Sequence, residues 1–488
     1  MNLPVIIPLL IFLLIIILIG LYAARFVKST NTFLHEYFIG SRSLGGFILA
    51  MTMVATYGSG SSFLGGPGAA YSIGLAWVLL SMSQLVTGYF TLSILGKKFA
   101  IMSRKINAIT LIDFLKERYR SKWVVILSAF SIVIFLFSAM AAQWVGGARL
   151  IESITGLSYT TAILIFSITL LLYVIFGGFR AVVITDAIQG VIMFVGTLVI
   201  LIATIVAGGG ISNIMAELVS ENPNLITPYG ADGSLTPLYI SSFWILVGVG
   251  VVGLPQVAVR AMSYRDSKSL HKALIIGTVT VGIIMLGMHL TGVFGRAVLP
   301  GIEEADKVIP LLAMDVLPNW IAGILLAAPL AAIMSTVDSL LLVVSSSIVK
   351  DIYINYVKPD ADEKRIRVLS GAVTTTVGVL VLFMAIDPPD LLIWLNLFAF
   401  GGLEAAFIWP IIMGLYWKKG NAYGALASII IGVSSYILLY SVYTNPFGMH
   451  AVVIPVILSF LCYVSVSLLT QKVNAVEQKA IIQKLWSV

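Results

Sequence analysis

Apolar runs long enough to cross a lipid bilayer follow one another along almost the whole of this chain, which leaves it few folds to adopt. A hydrocarbon core about 30 Å thick takes about 20 apolar residues per helical crossing. Such runs are read at residues 3–24, 45–73, 75–96, 123–148, 157–177, 182–208, 239–258, 273–295, 319–349, 367–386, 391–416, 422–443 and 451–470. Composition agrees: 59% of residues are hydrophobic, 10% are charged and the mean hydropathy is +1.04, which excludes a soluble globule with a polar surface. The expectation is an all-α polytopic membrane protein of about 13 transmembrane helices, with residues 1–470 forming one transmembrane unit and 471–488 a cytoplasmic tail.

Charge placement gives an orientation. With the N-terminus outside and the C-terminus inside, alternate connections hold Arg25, Lys28 and Arg42, then residues 97–122, Arg180, 260–272, 350–367, Lys418 with Lys419, and the tail. Of the 29 Lys and Arg, only Arg149, Arg296 and Lys307 then fall outside, the positive-inside pattern. The net charge of +7 is therefore a topology signal, and no soluble face interleaves basic and aromatic residues as a nucleic-acid partner would need. The first run is followed rather than preceded by its positive residues, so it reads as a retained helix and not a signal peptide. A single Cys462 excludes a disulfide framework or a cysteine-based metal site. Within 97–122, apolar positions 111, 112, 114, 115 and 119 fit a helix lying at the cytoplasmic interface.

Two runs are interrupted in matching ways, at Ala55-Thr56-Tyr57-Gly58-Ser59-Gly60-Ser61-Ser62 and at Gly248-Val249-Gly250-Val251-Val252-Gly253-Leu254-Pro255. Paired interruptions by Gly, Ser and Pro in two halves of a membrane chain point to the binding site of a secondary transporter.

Ionisable groups far from the ends of a span are expensive and mark function by default. Ser335, Asp338 and Ser339 stand at i, i+3 and i+4 on one helix face, with Thr336 beside them and the Ala332 carbonyl one turn earlier. These are hard oxygen donors of the kind that hold group 1 and 2 cations, and the interrupted segment at Ala55 and Gly58 can supply backbone carbonyls from a second helix. The other reading of membrane serines is close helix packing, which suits Ser345, Ser346 and Ser347. Asp186 lies in the same half of the membrane as Asp338. It either joins a second cation site or ties to Arg180 or a helix N-terminus. Glu404, near the middle of its run, binds substrate or a proton, or holds two helices together. His289 reads as a packed residue. No metalloprotease, phosphate-loop or Ser-His-Asp pattern appears, so the chain is not expected to be an enzyme or to use ATP or an organic cofactor.

Several stretches, in order along nearly the whole chain, resemble the sodium/solute symporter family. They are Gly40-Ser41-Arg42-Ser43-Leu44-Gly45-Gly46; the interrupted segment from Ala55 to Ala69; Gly147-Ala148-Arg149-Leu150; Phe176-Gly177-Gly178-Phe179-Arg180-Ala181 with Thr185-Asp186-Ala187-Ile188-Gln189; Gly253-Leu254-Pro255-Gln256 with Arg260; Ala331-Ala332-Ile333-Met334-Ser335-Thr336; and Gly414-Leu415-Tyr416-Trp417-Lys418-Lys419 before Gly424-Ala425. The resemblance implies a leucine-transporter-like core of two inverted five-helix repeats, over 45–208 and 239–416, with extra helices at 3–24 and within 422–470. It implies a multi-pass protein of the cell membrane that couples uptake of a small solute to Na+. The main Na+ site it implies uses the carbonyls of Ala55, Gly58 and Ala332 and the hydroxyls of Ser335 and Thr336. A second Na+ site would use Asp186, Ser335, Asp338 and Ser339. Substrate would meet Ser59, Ser62, Ser81, Gln84, Gln143, Gln256, Asn396 and Glu404, a set of hydroxyls and amides suited to a hydroxylated amido-carboxylate. Tyr57 stands where proline carriers place an acid, which argues against proline. Proton coupling through Glu404 is the alternative ion scheme, another small carboxylate or polar solute the alternative substrate, and a channel the alternative class.

Overall fold

The computed structural model describes residues 3–27, 42–388, 391–443, 445–473 and 475–486, without the side chains of 20, 21, 23–27, 172–181, 475 and 477. Lys28, Gly40 and Ser41, and the side chains of Arg25, Arg180 and the 176–181 motif, therefore lie outside the described residues.

The described residues are helical throughout, apart from turns and one parallel bridge between Leu44 and Tyr264. In chain order the helices are α1 (Leu3–Val27), α2 (Gly46–Tyr57), α3 (Gly66–Ile73, entered through a π turn at Ser61–Gly65), α4 (Leu75–Lys105), α5 (Leu111–Tyr119), α6 (Lys122–Thr155) and α7 (Tyr159–Ala207). They continue as α8 (Ile211–Glu221), α9 (Pro237–Gly253), α10 (Pro255–Met262), α11 (Ser267–Val298), α12 (Val308–Val316) and α13 (Asn319–Val357). The last are α14 (Glu363–Ala385), α15 (Leu392–Tyr416), α16 (Ala422–Val442), α17 (Val453–Leu469) and α18 (Ala475–Trp486). Among the described residues, eight helical stretches are long and apolar enough to cross a bilayer, or ten when each of two bent pairs counts as one crossing. Shorter apolar helices at Leu3–Ile19, Tyr159–Leu171 and Val453–Leu469 stand where the first, fifth and last runs were read. Large apolar side chains such as Phe383, Leu438, Ile457, Ile168 and Ile202 are exposed on the outer surface, an arrangement stable against lipid tails and not against water.

The runs expected at 157–177 and 182–208 join into the single 49-residue α7, where a break was expected. Straight, such a helix would reach about 74 Å at 1.5 Å per residue, over twice the hydrocarbon thickness. Its two ends nevertheless lie at one face of the molecule. Tyr159 donates to the Ala385 carbonyl (2.7 Å) and lies under the Arg149 guanidinium, which pairs with Glu304 at 2.5 Å. At the other end a Cβ on Gly208 would lie 3.2 Å from Val298, six residues before Glu304. The two ends of α7 thus both pack near the segment 298–306.

Close packing rests on small residues, as expected where lipid gives no hydrophobic drive between helices. A Cβ on Gly190 of α7 would lie 2.8 Å from the Met51 carbonyl of α2, and one on Gly292 of α11 would lie 2.1 Å from the Pro67 carbonyl of α3. Every residue of α13 from Ala327 to Ser346 is buried, so this helix is the axis on which the others pack.

At the end of the bundle that carries most of the basic connections, α5 forms as expected, capped by Thr110 Oγ1 accepting from the Asp113 N–H (2.9 Å). Its apolar face does not lie on a membrane surface. Leu111, Ile112, Phe114, Leu115 and Tyr119 are buried against the bundle, and Arg118, itself buried, donates to the carbonyls of Gly414 (2.9 Å), Trp417 (3.1 Å) and Gly420 (2.9 Å). These carbonyls end α15, where a cation complements the helix dipole. The tail helix α18 closes over them, with Trp486 stacked at 5.1 Å from the Arg118 guanidinium and Lys484 paired with Glu117 at 2.7 Å.

Candidate functional site

Both interruptions are real bends, of 66° between α2 and the segment Ser61–Ile73 and of 51° between α9 and α10. Their local causes differ. After Tyr57 the backbone leaves the helix at Gly58, with φ −71° and ψ 117°, and Gly60 turns its N–H to Gln143 Oε1 at 2.8 Å. In the second, α9 tightens into a 3-10 turn over Gly250–Gly253, and Leu254 is extended (φ −84°, ψ 120°) because the ring of Pro255 disfavours helical geometry in the residue before it.

The first break frees carbonyls that α13 meets. Ser335 Oγ donates to Ala55 O (3.0 Å) and Ala332 O (3.1 Å), and Thr336 Oγ1 donates to Gly58 O (3.2 Å) and Ala332 O (2.8 Å). The five oxygens singled out from the sequence thus converge in one buried cluster. Here each hydroxyl proton satisfies a carbonyl, at a net stabilisation of about 1 kcal/mol per bond. These are hard oxygen donors, the chemistry that group 1 and 2 cations take.

The second set is also brought together, but around a different charge. Arg260, which the sequence places in a cytoplasmic connection, is buried, because Pro255 restarts a helix whose eight residues are all buried. Its Nη2 contacts Asp186 Oδ2 at 2.9 Å and Ser339 Oγ at 2.5 Å, its Nε meets Thr52 Oγ1 at 3.1 Å, and its Nη1 meets Gln256 O at 3.2 Å. Thr52 Oγ1 in turn donates to Asp186 Oδ2 at 2.7 Å, so one hydroxyl both accepts and donates. Asp186 is thus tied to Arg260. Asp338 is buried one turn beyond Ser335, and Ser339 Oγ also donates to Ser335 O (2.7 Å).

Of the expected substrate residues, Ser59, Ser62 and Gln143 gather at the first break. The Ser59 carbonyl accepts from the N–H groups of Ser62 (2.9 Å) and Phe63 (3.0 Å), and Ser62 Oγ donates to Tyr57 O at 3.3 Å. Ser81 and Gln84 belong to the part of α4 that borders the second break, where Thr87 Oγ1 donates to Val247 O at 2.7 Å; Ser81 Oγ itself bonds back to Val78 O (2.8 Å). Asn396 and Glu404 lie about 12 Å apart along α15, which packs against both breaks. Gln256 Oε1, Asn396 Oδ1 and both oxygens of Glu404 are buried and meet no hydrogen-bond donor among the described residues. The sequence reading missed Thr52 and the buried role of Arg260. The signal for the latter was its position five residues after Pro255, on the face that carries Gln256 one turn earlier.

At the N-terminal end of α15, Asp306 leaves its short turn to accept from the Leu392 N–H at 3.1 Å, capping the helix. Burial raises its carboxyl to about 7, against the opposing pull of that N–H and of Arg149.

This architecture, with two discontinuous helices meeting a buried oxygen cluster, is that of a membrane transporter. It is shared with a Na+-coupled sialic acid symporter solved in a substrate-bound outward-open state, at a TM-score of 0.79 and 20% identity over 96% of this chain and 98% of that one. A nucleobase-cation-symport-1 transporter with bromovinylhydantoin bound aligns at 0.57 and 15% identity, over 92% and 97%. The model of the sodium:solute symporter family matches residues 37–432, and the chain belongs to that family. It is 51% identical to a sodium/pantothenate symporter of Haemophilus influenzae over 93% of this chain and 94% of that one, and 50% identical to a sodium/pantothenate symporter of Escherichia coli over 95% and 96%. An osmoregulated proline transporter of Bacillus subtilis is 30% identical over 97% and 96%.

Proposed function

We propose that this protein carries pantothenate across the cell membrane together with Na+, by alternating access around the two breaks. The observation that carries the coupling is the convergence of Ala55, Gly58 and Ala332 carbonyls with the Ser335 and Thr336 hydroxyls at the first break, hard oxygen donors of the kind Na+ takes. Pantothenate as substrate is supported by half-identical relatives of that name over nearly the full length, and by the stretches 62–71 and 394–405, which resemble those carriers most. Ser59, Ser62, Ser81, Gln84, Gln143, Gln256, Asn396 and Glu404 form the proposed pocket.

A stoichiometry of one Na+ per pantothenate is the form of coupling the geometry favours. Arg260 already neutralises Asp186 and holds Ser339, so a second ion at Asp186, Ser335, Asp338 and Ser339 requires the guanidinium to withdraw. Uptake of radiolabelled pantothenate into proteoliposomes tests the reading. Accumulation is expected with an inward Na+ gradient; accumulation driven by a proton gradient alone, or a non-saturable flux, would overturn it in favour of proton symport or a channel.

A further inference from the structure

Glu404 is fully buried near the middle of α15, with neither carboxyl oxygen bonded among the described residues. It faces the second break directly. A Cβ on Gly250 would lie 2.6 Å from its Oε2, and one on Gly253 would lie 3.1 Å from its Cα. The space at position 250 is therefore taken by the carboxyl group itself.

The segments packed on α15 at this level bring no charge. Residues 61–65, 123–148 and 244–253 contain no Asp, Glu, His, Lys or Arg. From α16 comes Tyr436, whose hydroxyl would lie 2.4 Å from a Cβ on Gly401 and donates to Leu397 O at 3.4 Å. The ionisable residues of α5 meet α15 lower down, around Gly414, and α17 meets it at Trp409, whose Nε1 donates to Val456 O. Arg260 is committed to Asp186, Ser339, Thr52 and the Gln256 carbonyl.

An ionised carboxylate with no counter-charge or donor costs several kcal/mol in such surroundings. The protonated form removes most of that cost and presents one O–H donor together with an acceptor. A carboxylate substrate entering beside the break has the opposite need, for a strong donor without a guanidinium at hand.

We propose that Glu404 is held as a neutral carboxylic acid and donates its O–H to the carboxylate of the substrate, two acid groups sharing one proton across the second break. This rests on the proposed carriage of a carboxylate such as pantothenate. No bond is made or broken; the proton stays with the pair and forms a charge-assisted O–H···O⁻ hydrogen bond, about twice as strong as a neutral one. Glu404 is then the group that selects an acid over its uncharged analogue.

The test is Na+-driven pantothenate uptake into proteoliposomes between about pH 5.5 and pH 8.5, with the alcohol analogue of pantothenate as competitor. Wild-type KM is expected to stay low while Glu404 keeps its proton, and to rise only at a pH where the donor ionises and two like charges meet. Glu404→Gln, which keeps an N–H donor, should stay within about threefold of the low-pH wild type and lose the pH dependence. Glu404→Ala should raise KM about tenfold, while inhibition by the alcohol analogue changes little in either variant. An unchanged KM in Glu404→Ala, or equal weakening of the alcohol analogue, would overturn the proposal. Infrared difference spectra supply a readout that does not depend on the substrate. The stretch of a protonated carboxyl should be present in wild type and absent in Glu404→Gln, and its absence in wild type overturns the proposal even where pantothenate is carried. The band without any pantothenate uptake would instead overturn the substrate reading and leave the neutral acid standing.

Discussion

Asp186 and Arg260 form a buried ion pair, Oδ2 to Nη2 at 2.9 Å, that ties the second half of α7 to the restarted helix α10. Both side chains are almost fully removed from solvent, at 0% and 1% exposure. Removing one partner of such a pair leaves an uncompensated charge and costs about 3 to 5 kcal/mol, whereas replacing both is far milder. Asp186→Asn is therefore expected to lower thermal stability in detergent strongly, and Asp186→Asn with Arg260→Gln to recover most of the loss. A double variant as unstable as the sum of the two singles would show that the charges do not act as a pair.

Ser335→Ala and Thr336→Ala each remove one oxygen of the proposed Na+ cradle without disturbing helix propensity. Half-saturation for Na+ should rise about tenfold or more in each, equivalent to about 1.4 kcal/mol or more. Uptake measured against Na+ concentration checks this, and unchanged Na+ dependence in both would remove the cradle from the mechanism.

One Na+ entering with one monovalent anion moves no net charge. The substrate gradient at which flux reverses should then follow the Na+ gradient alone, and clamping the membrane potential should leave it unmoved. A second Na+ would add about 2.3 kcal/mol per 100 mV. Reversal measurements on reconstituted protein distinguish the two, and a potential-dependent reversal abolished in Asp338→Asn would establish a second ion.

Asp306 gives the folded state a pH dependence at the N-terminal end of α15. Its carboxyl, raised by burial to about 7, keeps a proton that the unfolded chain releases near pH 4. Its contribution to stability is thus complete below about pH 4 and is lost as pH rises to about 7, at about 1.4 kcal/mol per pH unit across that window. Melting temperature should fall between pH 5 and 7, and fall less in Asp306→Asn, which keeps an oxygen for the Leu392 N–H. Equal slopes in the two proteins would assign the pH dependence elsewhere.

Much of this architecture was legible because lipid imposes simple rules. Helical runs, their interruptions and the serine–threonine face of α13 are all properties of short stretches, and the five oxygens that meet at the first break could be named from them. What escaped was non-local. Hydropathy ends the seventh run before Arg260, yet Pro255 begins a buried helix that carries the arginine into the bundle, onto an aspartate 74 residues away. The amphipathic pattern of α5 likewise fixes which face is apolar but not what covers it. Here that cover is the end of α15 and not lipid.

The docking of α18 couples the tail to the end of α15. Trp486 rests on Arg118, and Arg118 grips the last carbonyls of α15, so a tilt of α15 changes the polarity around an indole far from either break. In a variant that keeps Trp486 as its one tryptophan, fluorescence from that ring would report any such tilt without a label. Bulky fusions at this end would load the same lever.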